Sequence, residues 1–163
     1  ENIARAKGEL IRALPASGCA VLNADDPRVA AMAETSAAPV WFYGFSAEGK
    51  GEHWVTALDA RREGDTGQRF RLRTSAGEVE AFLPAPGRHN LLNAMAAAAV
   101  GLALGMEPGE IARGLESFTG TGSRMRILFA GGVRLIDDTY NAAPASVIAA
   151  LGVMREQAGD AGR

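Results

Sequence analysis

Apolar residues recur along the chain with two periods, and the switches between them mark the elements. Ile3, Leu10, Ile11 and Leu14 repeat at helical spacing until Pro15 and Gly18 stop the run. Gly18 to Asn23 is a short apolar stretch of strand type that ends in the polar turn Ala24-Asp25-Asp26-Pro27. A short helix over Arg28 to Glu34 follows, then a second apolar strand over Val40 to Phe45, preceded by Pro39. Helix, strand, helix, strand is the order of a parallel sheet. In such a sheet the polar end of the first strand faces a ligand crevice, although Asp25 and Asp26 read first as turn or cap residues.

From His53 to Pro84 the period changes to two. Trp54 to Leu58, Gln68 to Thr74 and Glu78 to Leu83 alternate polar with apolar and are separated by turns at Gly64-Asp65 and Ala76-Gly77, which predicts a small antiparallel unit with one wet face. Arg69, Arg71 and Arg73 fall on that face, opposite Phe70 and Leu72, and with no aromatic stacking positions interleaved on the same face they read as a solvated edge rather than a phosphate groove. The helical period returns after Gly87, with Met95, Ala99 and Leu102 in one stripe and Gly105 as the stop. Pro108-Gly109-Glu110 opens a further helix through Phe118. Arg126 to Ala130 and Val133 to Ile136 form a hairpin about Gly131-Gly132, and Ala145 to Gln157 reads as a helix with Val147, Ile148, Leu151 and Met154 inward.

With 163 residues, 47% of them hydrophobic, and a formal charge of -2, the chain has the composition of a globular protein and no basic bias towards nucleic acid or membrane surfaces. The longest apolar run, Ala94 to Leu104, is too short and too rich in alanine to span a bilayer, and no signal peptide is visible. Cys19 is the sole cysteine, which excludes intrachain disulfides and cysteine-rich zinc sites and fits a buried thiol in a reduced, cytoplasmic setting. Glu1 opens on what already looks like helix interior and residues 159–163 close no pattern, so the chain is expected to be a piece of a larger protein.

Four places carry candidate chemistry. In Gly87-Arg88-His89-Asn90-Leu91-Leu92-Asn93, the two asparagines share a helix face beside the helix start. Each carboxamide matches the donor–acceptor edge of adenine, so the pair forms an adenine reader or, more plainly, an N-cap and a solvated first-turn residue. Lys7 falls within the apolar stripe of the first helix, about 40° from Ile3 for a turn of ~100° per residue. It either snorkels or loses its charge, and a neutral amine can form a carbamate, an anionic oxygen ligand for Mg2+. Arg124 sits in a glycine-bearing loop suited to a nucleotide phosphate, though an ordinary surface arginine would look the same. Asp137 and Asp138 stand at a strand end, where a carboxylate accepts the hydroxyls of a ribose, approaches a metal, or simply shapes a turn.

Together these stretches resemble the Mur ligases of peptidoglycan synthesis, most closely those that add D-alanyl-D-alanine to UDP-N-acetylmuramoyl-tripeptide. The matching segments are Ile3 to Glu9, Val21 to Pro27, Gly87 to Ala94 and Ile136 to Pro144, in the family's order across nearly the whole chain. The resemblance implies an α/β fold: residues 1–118 as part of the central ATP-binding domain, a parallel sheet with helices plus a small antiparallel sheet. Residues 119–163 would then begin a Rossmann-like carboxy-terminal domain. It implies Lys7 as the carbamylated metal ligand, His89, Asn90 and Asn93 at adenine, Arg124 at phosphate and Asp138 at ribose, with ATP and Mg2+ as cofactors. The implied reaction is phosphorylation of the tripeptide carboxylate followed by attack of the D-alanyl-D-alanine amine on the acyl phosphate.

Two departures qualify the resemblance. The chain has Asn141-Ala142-Ala143-Pro144 where such ligases read Asn-Ala-Asn-Pro. It also contains no Gly-x-x-x-x-Gly-Lys-[Ser/Thr] loop, since Gly49-Lys50-Gly51 lacks the hydroxyl and the strand-to-helix context. These 163 residues alone are therefore expected to be inactive and to bind nucleotide weakly at most. The oligomeric state is open, with self-association through exposed strand edges or exchanged terminal helices one way for an incomplete chain to cover them. The other readings are a non-catalytic binding or assembly module that keeps the fold, and a ligase like folylpolyglutamate synthase, against which Asp137-Asp138-Thr139-Tyr140-Asn141 argues.

Overall fold

A computed structural model describes residues 2–64, 67–120 and 126–158. Five strands form one mixed sheet in chain order: β1 (Ala20–Asn23), β2 (Val40–Tyr43), β3 (His53–Glu63), β4 (Gly67–Thr74) and β5 (Gly77–Leu83). β1, β2 and β3 run parallel, and β3, β4 and β5 antiparallel. The antiparallel unit is thus continuous with the parallel strands rather than a separate sheet, because Trp41 to Tyr43 pair with His53 to Val55. The alternation in β4 is obeyed: Phe70 and Leu72 are buried while Arg69, Arg71 and Arg73 point outward. There Arg69 pairs with Glu63, Arg71 with Asp59 and Glu78, and Arg73 with Glu48 and Glu78, as expected of a solvated edge.

Two helices cover one face of the sheet, α3 (Arg88–Ala103) and α4 (Pro108–Glu116). Met95, Ala98 and Ala99 of α3 are fully buried against Val55, Phe70 and Leu72, and Ile111 of α4 joins the same cluster. Alanines let the helix lie close to the strands, and Gly101 does the same for α4: a Cβ there would stand 3.1 Å from Ile111 Cγ1. α3 ends in a Schellman arrangement, in which Gly105, at φ +84°, donates to Leu102 O and Met106 donates to Gly101 O. Glu107 and Glu110 then form a capping box that starts α4.

The outer helices depart from expectation. α1 (Asn2–Arg12) buries only Gly8, which faces Met32 of the 3-10 turn Ala31–Thr35. Ile3 and Leu10 are 78% and 67% exposed, and Lys7 is exposed with them, so the inward lysine expected from periodicity is corrected. The physical reason is that α1 docks through Gly8 with Ile11 half-buried on the same side, which turns the flank carrying Ile3, Lys7 and Leu10 outward. Between β1 and that turn, α2 (Pro27–Ala30) is capped by Asp26, whose Oδ1 accepts from Arg28 N at 2.9 Å, as the turn reading anticipated. Cys19 is half-buried, and burial pushes its thiol pKa up, keeping it protonated.

A separate hairpin of β6 (Arg126–Ala130) and β7 (Val133–Asp137) turns at Gly131 and Gly132, both at positive φ. α5 (Pro144–Ala158) follows. Its expected inward stripe is also corrected: Val147, Ile148, Leu151 and Met154 are exposed, while Val153 is buried at Gly87. Ala145, Ala149 and Gly152 instead line the open groove beside Gly87 and Arg88. Among the described residues no helix is long and apolar enough to cross a membrane.

Met95 tests this packing. Met95→Ala is expected to destabilise the fold by about 3 kcal/mol in urea unfolding, since the site cannot collapse between helix and sheet. A loss below about 1 kcal/mol would show that α3 does not pack as described.

Candidate nucleotide site

The start of α3 is held from three sides. Gln68, buried in β4, donates from Nε2 to Ala85 O at 2.7 Å and to Gly87 O at 3.1 Å, fixing the loop that leads into the helix. Asn90 Nδ2 donates back to Pro86 O at 2.7 Å. From the sheet side, the guanidinium of Arg88 lies over the Phe45 ring, 3.4 Å from its centroid. Gly87 itself is the N-cap, at φ +92°, and offers no side-chain cap. A Cβ there would meet Val153 Cγ2 at 2.6 Å, so glycine allows both the backbone turn and the approach of α5.

Phe45 is fixed in turn by Asp25. This carboxylate accepts from Phe45 N and Ser46 N at 2.9 Å each and from Ser46 Oγ at 2.6 Å, joining the end of β1 to the segment after β2. Gly44, at φ +140°, is required for this approach, because a Cβ would lie 2.9 Å from the carboxylate. Partial burial raises the Asp25 pKa, but the Ser46 hydroxyl, the two amides and the nearby Arg88 outweigh it and hold the carboxyl below its ordinary value of 3.8. Lys50, the lysine of the glycine-flanked stretch, donates to Ala24 O at 2.9 Å and braces the same turn.

These residues line a groove of about 730 Å³ formed by Asp25, Phe45, Ser46, Arg88, His89 and Leu92 on one side and α5 on the other. Of the candidate nucleotide-binding residues named from the sequence, His89 lines it, and so does Asp25 at the polar end of β1; Asn90 and Asn93 do not. Asn90 is not the N-cap but the third helical residue, and its bond to Pro86 fixes the plane of its amide. Asn93 is exposed one turn on, the solvated position that its spacing allowed. Asp138 stands half-buried directly after β7, while its neighbour Asp137 accepts from Thr139 N and Oγ1 and shapes the turn. Arg124 lies outside the described residues. Among the described residues no group of three or more His, Cys, Asp or Glu side chains is placed to hold a metal ion, so these residues do not by themselves assemble a Mg2+ site. Asp25, Phe45 and Arg88 were not legible as a unit, since the contacts that join them span 20 and more residues.

A mixed α/β sheet with a helix N-terminus and a groove beside its strand ends defines a domain of the ligand-binding α/β type. The comparisons make the class specific. The Mur ligase middle domain matches residues 1–101, and the chain belongs to the Mur ligase family. It is 42% identical, over 94% of its length, to the UDP-N-acetylmuramate--L-alanine ligase of Stenotrophomonas maltophilia strain K279a. It superposes on a crystal structure of MurF from Acinetobacter baumannii with a TM-score of 0.83 at 34% identity, covering 95% of this chain and 33% of that one. A second Acinetobacter baumannii structure, of the UDP-N-acetylmuramoylalanyl-D-glutamyl-2,6-diaminopimelate--D-alanyl-D-alanyl ligase, gives 0.80 at 33% identity, again covering 95% of this chain and 33% of that one. The chain spans about a third of the curated relative's length, 32%.

The Asp25 arrangement has a pH signature. A carboxyl depressed in the folded state stabilises the fold fully above its unfolded pKa, near 3.8, and that contribution disappears as pH falls through the lower folded value. Asp25→Asn is therefore expected to lower thermal stability at neutral pH and to shrink the stability lost below about pH 4. An unchanged acid profile would contradict the assignment.

Proposed function

We propose that this chain is the ATP-handling part of an ATP-dependent amide ligase of peptidoglycan precursor synthesis that adds D-alanyl-D-alanine to UDP-N-acetylmuramoyl-tripeptide. The superposition on MurF, with its TM-score of 0.83 over nearly the whole chain, carries this reading. The four matching sequence segments support the same acceptor. A specific observation favours a second reading, addition of L-alanine to UDP-N-acetylmuramate, because the curated relatives at 41–42% identity carry that name. Residues 119–163 in either reading begin a second, Rossmann-like domain.

The residues divide the work as follows. Asn90, with its amide plane held by Pro86, offers Oδ1 and its remaining N–H to the adenine edge. Asn93 and His89 flank that position, Asp138 accepts the ribose hydroxyls, and Arg124 contacts phosphate. The transferred phosphoryl group makes the substrate carboxylate an acyl phosphate. The acceptor amine then attacks the acyl carbon, and inorganic phosphate leaves as the amide forms. The protein's part is to position and to neutralise charge. In this reading Lys7, as a carbamate, would supply one anionic oxygen ligand to Mg2+.

The decisive assay gives the full-length gene product ATP with each acceptor pair and measures phosphate release and the peptide product. Turnover with the tripeptide and D-alanyl-D-alanine is expected. Turnover with UDP-N-acetylmuramate and L-alanine alone would establish the second reading, and turnover with neither would reject both in favour of a binding or assembly module. Asn93→Ala is expected to raise KM for ATP about fivefold, the loss of one ligand hydrogen bond. An unchanged KM would remove Asn93 from the site.

A further inference from the structure

Successive residues of a helix turn by about 100°, so Arg88 and Leu92 share one flank of α3 while Asn90 lies on the opposite one. The groove beside Phe45 is therefore not the surface on which Asn90 acts, yet both are set by the same turn of helix. The bonds from Gln68 and Asn90 fix carbonyls that precede or open that turn. The stack of Arg88 on Phe45 joins it to the segment that follows β2. A cation at the first position of a helix opposes the helix dipole, and Arg88 turns its guanidinium to a partner outside the helix. Phe45 supplies the face of its ring, and Asp25 supplies a nearby negative charge while fixing the Phe45 and Ser46 backbone.

We propose that Asp25 and Phe45 are positioning residues for the nucleotide: they clamp Arg88 and so, together with the core packing of Leu91 and Ala94, hold the first two turns of α3, which carry His89, Asn90 and Asn93. The proposal rests on the reading above in which those three residues meet the adenine. The clamp touches no reacting atom. Its effect belongs in nucleotide binding rather than in the chemical step.

The test compares Phe45→Leu, Phe45→Tyr and Asp25→Asn in the full-length gene product, reading KM for ATP, kcat and thermal midpoint. Phe45→Leu removes the aromatic face and is expected to raise KM for ATP about fivefold while kcat stays within about twofold. Phe45→Tyr keeps the face and is expected to retain the parent KM. Asp25→Asn, nearly the same size, is expected to raise KM in the same sense, and it decides the matter if Phe45→Leu does not fold. A lower thermal midpoint with unchanged KM, or equal KM rises for leucine and tyrosine, would overturn the clamp and leave Phe45 a packing residue. Failure of the parent protein to use ATP would overturn the parent reading and the clamp together, whereas ATP use with unchanged variants would overturn the clamp alone.

Discussion

The close seating of α3 on the sheet is the constraint on which the rest of this structure depends. Ala94, Ala98 and Ala99 bring the helix down onto Val55, Phe70 and Leu72, and Met95 fills the space that remains. A larger residue at any of these positions would lift the helix and move its first turn with it. That first turn carries the candidate binding groups, so packing and function share one rigid body. Gly101 extends the same logic to α4, whose Ile111 closes the core at the far end.

The other determinants act at the ends of this body. Gln68, reaching from the start of β4, and Gly87, with a conformation few other residues adopt, decide where α3 begins. Asp25 decides how the end of β1 meets the segment after β2 and carries Phe45 to the helix. Few of these groups would attract notice singly. Together they place a helix start, a cation and a groove at the strand ends, where an open α/β sheet binds its ligands. Membership of the Mur ligase family gives that placement a chemical meaning.

What the sequence made legible was the chemistry of near neighbours. The Asp26 cap, the Gly105 stop, the Gly131-Gly132 hairpin and the alternation of β4 each depend on residues a few positions apart, and each stands as expected. What it hid was the choice of face. Periodicity showed apolar stripes on α1 and α5, but α1 buries Gly8 and α5 buries Val153 instead. Lys7 was misplaced for that reason, since a stripe does not say which neighbour it meets. The adenine pair was legible as spacing, while the bond from Asn90 to Pro86 depends on the backbone angle of Gly87. The union of Asp25, Phe45 and Arg88 was invisible because only the folded sheet brings them together.

The central claim is that the first turns of α3 form the nucleotide-binding surface. Amide hydrogen exchange of the full-length gene product with and without ADP tests it most directly. Added protection over residues 87–93, accompanied by residues 137–141, is the expected result. Saturating ADP that leaves exchange at 87–93 unchanged would contradict the claim, whatever protection appeared elsewhere.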